Sequence, residues 1–313
     1  MILETVWLGK FPKYWDVTPW AVLLNEYLVC CYRNEASNRR VIEVQDLRSH
    51  EKRTRDTIYN GILGCLHDTV YFAKIADARS HLQISRIGSF NINEMAFNWE
   101  CEELFLIEKY KIPQINGYSK EKYILGNKQI ELSTGRVTEH KLSPHYRWPI
   151  DGQMWLVQDK RSLVCIDQFG NKIWSKEECF GKHFQGAMGE QLVFLTEKKI
   201  VVIIKKWSGQ QLEEIQVPDT HIITNRIYGD FKIGNDISFD NSTIADMLMN
   251  ESTCIWINDN LVVSLNRATG TRDSFLCPQS KATFLSAMSR DYFLMYSLLE
   301  EDYGSLIVGK LEE

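Results

Sequence analysis

The chain has 313 residues, 44% of them hydrophobic and 25% charged, a globular mixture that excludes intrinsic disorder. Its 36 Lys and Arg against 41 Asp and Glu leave a net charge of -5, which argues against a nucleic-acid ligand. The length suits one large all-β domain or two smaller domains.

The opening residues, Met1-Ile-Leu-Glu-Thr-Val-Trp7, show no basic start followed by an apolar run, so no signal peptide is expected. No run reaches the ~18 apolar residues of a membrane-spanning helix. Eight cysteines lie at 30, 31, 65, 101, 165, 179, 254 and 277, without CxxC spacing. Several sit inside apolar runs, and they read as small buried hydrophobes in a reducing cytoplasm rather than a disulfide frame or a zinc site.

Along the chain come Leu28-Val-Cys-Cys-Tyr32, Val41-Ile-Glu-Val44, Thr69-Val-Tyr-Phe72, Met154-Trp-Leu-Val157, Leu163-Val-Cys-Ile166, Leu192-Val-Phe-Leu195, Cys254-Ile-Trp-Ile257 and Leu261-Val-Val263. All are short, rich in β-branched and aromatic residues, and bounded by polar clusters. The expected class is all-β. One short helix is expected, opening with Ser242 as N-cap and carrying Ile244, Met247 and Leu248 on one face.

Between the runs the turns repeat. Asp46-Leu-Arg-Ser-His50 and Asp77-Ala-Arg-Ser-His81 share one pattern, and glycine turns follow at Gly135, Gly170, Gly209, Gly270 and Gly304. Glycine suits such a hairpin because it takes φ > 0 without steric cost. Anchors at 50, 81, 135, 170, 209, 270 and 304 are 31, 54, 35, 39, 61 and 34 residues apart, and 313 divided by seven is about 45.

With this period the chain resembles a seven-bladed β-propeller of the WD40-like or quinoprotein-like kind. Asp167-Gln-Phe-Gly170-Asn-Lys-Ile-Trp174 is similar to the D-x-x-T-G-x-x-x-W repeat of quinoprotein propellers, one residue short before the glycine. No other blade is read as keeping that Trp. The resemblance implies a single domain over 1–313, of seven blades with four antiparallel strands each. Pairing of Glu4–Gly9 with Leu306–Leu311 would close it by its N- and C-terminal strands and remove two exposed edges. Extensions are expected near 109–122 and 228–251.

Catalytic chemistry finds little support. Cys65-Leu-His67-Asp68 holds a nucleophile, a base and an orienter, but a strand puts Asp68 on the opposite face from the other two. No metal or phosphate-loop spacing occurs, and no cofactor is expected. Lys52-Arg53 with Arg55 reads as an exposed strand end. Trp155, Trp174 and Trp256 read as packing between blades.

The leading expectation is a non-catalytic, protein-binding propeller in the cytoplasm, monomeric apart from its partner, touching neither nucleic acid nor membrane. Its general character is similar to stand-alone immunity proteins that neutralise interbacterial toxins, some of them nucleases. An inhibitor of a basic nuclease gains rate and specificity from carboxylates. An enzyme or ligand-binding propeller using the central channel, or a scaffold subunit, is the alternative. The partner surface is expected on the long excursion from Tyr228 to Glu251, where Lys232 stands against Asp230, Asp236, Asp240, Asp246 and Glu251. Tyr228, Asp230, Asp236, Phe239, Asp240 and Asp246 are its candidate contact residues.

Overall fold

The computed structural model describes residues 2–13, 19–78, 81–108, 122–125, 128–139, 148–151, 154–159, 162–167, 171–177, 184–188, 190–195, 200–216, 247–249, 252–258, 261–276, 282–300 and 303–311. Among them every regular element is a strand, and the strands form seven antiparallel sheets. Sheet I holds β2 (Ala21–Leu24), β3 (Tyr27–Asn34), β4 (Arg39–Asp46) and β5 (Lys52–Asp56). In sheet II, β6 (Gly61–Leu66) and β7 (Thr69–Ala78) precede β8 (His81–Asn91), whose far edge carries both β9 (Ala96–Cys101) and β10 (Phe105–Glu108). Sheet III shows β11 (Lys122–Leu125), β12 (Lys128–Glu131) and β13 (Val137–Glu139).

Sheet IV runs β14 (Trp148–Asp151), β15 (Met154–Asp159), β16 (Ser162–Asp167), β17 (Lys172–Lys176). Sheet V runs β18 (Phe184–Met188), β19 (Gln191–Leu195), β20 (Ile200–Lys205), β21 (Gln211–Gln216). Sheet VI follows with β22 (Met247–Met249), β23 (Thr253–Asn258), β24 (Leu261–Asn266) and β25 (Arg272–Leu276). In sheet VII, β26 (Ala282–Met288), β27 (Tyr292–Leu298) and β28 (Tyr303–Lys310) are joined by β1 (Ile2–Lys10), antiparallel to β28 from Ile2↔Lys310 to Lys10↔Tyr303.

The middle strands read as unbroken apolar runs because both of their faces are covered. Leu192 and Phe194 pack toward sheet IV while Val193, between them, packs toward sheet VI. All seven residues of β27 are buried for the same reason. Apolar clusters join sheet I to II, II to III, IV to V, V to VI, VI to VII and VII to I. Sheets III and IV meet through β11 and β14, and first strands also touch where β2 meets β6 and β26. First strands therefore gather together, and fourth strands lie outermost.

Two sequence expectations are corrected here. Met247–Met249 is strand rather than the end of a helix: it pairs with Cys254–Trp256 and completes the inner edge of sheet VI. The rest of that expected helix lies outside the described residues. The turn anchors at His81 and Gly304 each fall one hairpin early. Asp77–His81 joins the second and third strands of sheet II, and Gly304 lies inside β28 against the Ser297 backbone.

The equivalent of Asp46–His50 in sheet II is Asn91–Met95. Asn91 Oδ1 accepts from the Asn93 and Glu94 amides at 2.9 and 3.1 Å, as Asp46 Oδ1 does from Arg48 and Ser49 at 2.7 and 3.0 Å. His50 and Met95 take the positive φ (60° and 52°) that Gly135, Gly209 and Gly270 take elsewhere. With this register the interval of 54 residues disappears: Met95 to Gly135 is 40.

Candidate functional site

Hairpins joining first to second and third to fourth strands share one side of the sheets, the turn face. The second-to-third loops and the connections to the next sheet lie on the other, the crossover face. The two sides differ in how fully their groups are used.

On the turn face the second residue of the third-to-fourth turn is tied down in sheets I, II, V and VI. The amides of Leu47, Ile92, Lys206 and Arg267 donate to the carbonyls of Glu26, Asp68, Glu190 and Ser252 at 2.8 to 3.1 Å, and Leu311 does the same to Asp291. The neighbouring sheet then docks on this residue from its fourth strand. Trp99 Nε1 donates to the Leu132 carbonyl at 2.9 Å, and Trp174 Nε1 to that of Lys206 at 2.7 Å. A Cβ on Gly135 or Gly209 would press into those two indoles.

Arg53 takes this role between sheets I and II, donating to the carbonyls of Ile92 and Asn93 at 3.1 Å each, with Arg55 donating to that of Met95. Between sheets V and VI the dock is ionic, Glu213 to Arg267 at 2.7 Å. Sequence reasoning missed Trp99, although Met95 to Trp99 repeats the spacing of Gly170 to Trp174. It read Lys52-Arg53 with Arg55 as an exposed strand end and did not see that Arg53 and Arg55 staple adjacent sheets.

Among the described residues, Cys65, His67 and Asp68 form no hydrogen bond to one another. Cys65 Sγ donates to the Leu23 carbonyl at 3.6 Å, and burial pushes its pKa up to about 12. His67 and Asp68 stand exposed in the following turn, and Asp68 accepts from Asn93 at 3.4 Å. Cys31 and Cys254 are likewise held as thiols by burial, with pKa values near 12. Among the described residues no group of three His, Cys, Asp or Glu is placed to hold a metal.

The six expected contact residues, Tyr228, Asp230, Asp236, Phe239, Asp240 and Asp246, lie outside the described residues, as do 109–121. Their segment leaves the outer strand β21 at Gln216 and re-enters at the inner strand β22 at Met247. Both ends are on the crossover face.

No protein-family model matches the chain, and no curated protein does. Among solved structures, the β-propeller domain of Cps50 (Swd1) from Myceliophteria thermophila superposes with a TM-score of 0.55 at 9% identity, covering 99% of this chain and 100% of that one. BamB from Moraxella catarrhalis gives 0.47 at 11% identity, over 100% and 99% of the two chains. The fold is a β-propeller.

In this propeller the exposed apolar side chains are unevenly placed. Eight large hydrophobic residues are exposed among the described ones. Leu8, Ile58, Leu276 and Tyr303 lie at strand ends or connections on the crossover side, and Leu104 and Leu106 lie on the outer edge of sheet II from its middle toward that side; Trp207 and Leu212 lie toward the turn face. Apolar surface gathered on one side of a rigid scaffold is the usual ground for protein contact.

Proposed function

We propose that the seven sheets are the blades of one closed wheel and that its crossover face binds a protein. The β1–β28 pairing and the sheet-to-sheet clusters support closure. The observation that carries the binding role is the crossover-side placement of Leu8, Ile58, Leu276 and Tyr303, with Leu104 and Leu106 toward that side. The broad face of a propeller suits gripping a globular partner.

More narrowly, the protein is an inhibitor of immunity type that neutralises a basic toxin or nuclease domain, acting in the cytoplasm as a monomer. The net charge of -5 and the carboxylates between Tyr228 and Glu251 support this reading. The described cysteines are mostly buried, which suits a reducing compartment. Asp230, Asp236 and Asp240 steer the partner, and Tyr228 and Phe239 bury area at the interface.

The test is stopped-flow association with the product of the neighbouring gene, in wild type and in Asp230→Lys/Asp236→Lys/Asp240→Lys. Slower association with a flatter salt dependence is expected. Unchanged kinetics in a folded variant would remove this segment from the interface.

A further inference from the structure

Sheet I carries seven basic residues, Arg33, Arg39, Arg40, Arg48, Lys52, Arg53 and Arg55. Five have work inside the fold. Arg39 pairs with Asp56 at 2.7 Å, Lys52 with Glu43 at 3.1 Å, and Arg48 with Asp291 at 3.8 Å. Arg53 and Arg55 serve the turn carbonyls of sheet II.

The other two stand directly opposite each other, Arg33↔Arg40 in the β3–β4 register. That register runs without a bulge, and Cys31 and Ile42 face sheet II, so both arginines lie on the same face two residues further along. Both are exposed. Among the described residues neither forms an ion pair, and the one side-chain bond is Arg33 Nε to the Asn38 carbonyl at 3.4 Å. Like charges opposite each other in an antiparallel pair destabilise it, so the fold gains nothing from this arrangement. Two guanidinium forks side by side offer paired donors to a planar carboxylate. Beside them the Thr57 amide donates to the Arg40 carbonyl at 2.9 Å, which sets the exposed Ile58 next to the pair on the crossover face.

We infer that Arg33, Arg40 and Ile58 form a docking point for an acidic peptide segment of a protein partner, with its carboxylate on the two arginines and an apolar side chain on Ile58. The site is independent of the acid-bearing excursion, and its ligand has the opposite charge. A partner gripped at both would be held in one orientation on the face.

The probe is a fluorescein-labelled peptide of alternating Glu and Leu, followed by anisotropy, with a Gln-Leu peptide as neutral control. Wild type binds the acidic peptide in preference to the neutral one. Arg33→Gln/Arg40→Gln weakens it at least about tenfold. The same variant melts at an unchanged or higher temperature, since the repulsion is gone. Ile58→Glu, at an exposed position, also weakens binding while leaving the fold intact. Equal affinity in the arginine variant, equal binding of the neutral peptide, or stronger binding of an oligonucleotide than of the peptide would each overturn the assignment. None of these outcomes depends on the toxin-inhibitor reading, whose own test uses the cognate partner.

Discussion

The seam between sheets VII and I and the seam between V and VI are held by opposite chemistry. At the first, Trp7, Phe11, Trp20, Tyr32 and Tyr296 form one aromatic cluster. Trp20 lies 4.7 Å edge-on from Trp7 and 5.8 Å in stacking distance from Tyr296. Residues from both ends of the sequence meet there on the first strand of sheet I. At the second, the fourth-strand dock is the Glu213–Arg267 ion pair, where other seams use an indole or guanidinium donor to a carbonyl. The chain leaves β21 and re-enters at β22 across this same seam. An aromatic joint is insensitive to salt, whereas an ionic one is not. The difference teaches that a seam can be held in two places, by packing near the crossover side or by a turn-face dock whose chemistry varies from indole to guanidinium to ion pair.

The sharpest way to break the comparison is Trp20→Ala. Trp20 is 1% exposed, and its truncation is expected to cost about 3–5 kcal/mol in denaturant unfolding, with no dependence on salt. Trp20→Phe should cost much less, because the buried indole Nε1 has no hydrogen-bond partner among the described residues. A cost below about 1 kcal/mol for Trp20→Ala would show that the aromatic seam does not hold the ends together.

The glycine turns give a second, smaller effect. Gly135→Ala and Gly209→Ala add a side chain at φ +72° and +66° and drive it into Trp99 and Trp174. Gly270→Ala meets the same backbone penalty at φ +71°, but nothing lies within 4 Å of its Cβ. Gly270→Ala should cost roughly 1–2 kcal/mol, and the other two clearly more. Equal costs at all three would mean that the indole docks yield without strain.

Much of this was legible in the sequence. The apolar runs became strands because burial on both faces demands unbroken hydrophobicity, as in β3 and β19. The glycine turns at 135, 209 and 270 kept their place because a positive φ leaves a residue-type signature. Asp77–His81 was misleading: its residues match Asp46–His50, yet a turn's role depends on which strands it joins, and that is set by pairing at a distance. Trp99 was hidden for the same reason, since the register one hairpin early left it without a turn to dock on. The docking roles of Arg53 and Arg55 were not legible at all, because a carbonyl acceptor on the next sheet has no residue type. The candidate binding residues from Tyr228 to Asp246 were marked by charge and length alone, and the crossover-face apolar set could be seen only once strand directions were known.

Alkaline pH separates the two regions further. The Cys30 thiol, buried in the aromatic seam, is held well above its ordinary value by burial first and by the nearby Glu43 charge second. Cys254, in the V–VI seam, is raised by burial to about 12, with Arg267 pulling it down. Both pKa values are higher folded than unfolded, so the stabilisation is complete below pH ~9 and declines as pH rises toward 12 and beyond. The melting temperature should therefore fall across this range. Cys30→Ala should flatten the fall more than Cys254→Ala, and the reverse order would show that the V–VI seam opens first.

The smallest expected effect sharpens the comparison most directly. Glu213→Gln removes the charge of the V–VI dock but keeps a carbonyl oxygen that can accept from the Arg267 guanidinium. The Glu213 side chain is 39% exposed and that of Arg267 11%, so the pair is only partly desolvated and its attraction is screened from one side. The loss should be about 1 kcal/mol or less. Its signature is salt: raising ionic strength should lower wild-type stability toward that of Glu213→Gln until the two converge, since screening removes from the wild type what the substitution removes outright. Hydrogen exchange should show the same convergence at the β24–β25 amides and no change at β27 and β28. A salt-independent gap between the two proteins would mean that Glu213 acts through its hydrogen bond alone, and the V–VI seam would then differ from the indole seams in partner but not in kind.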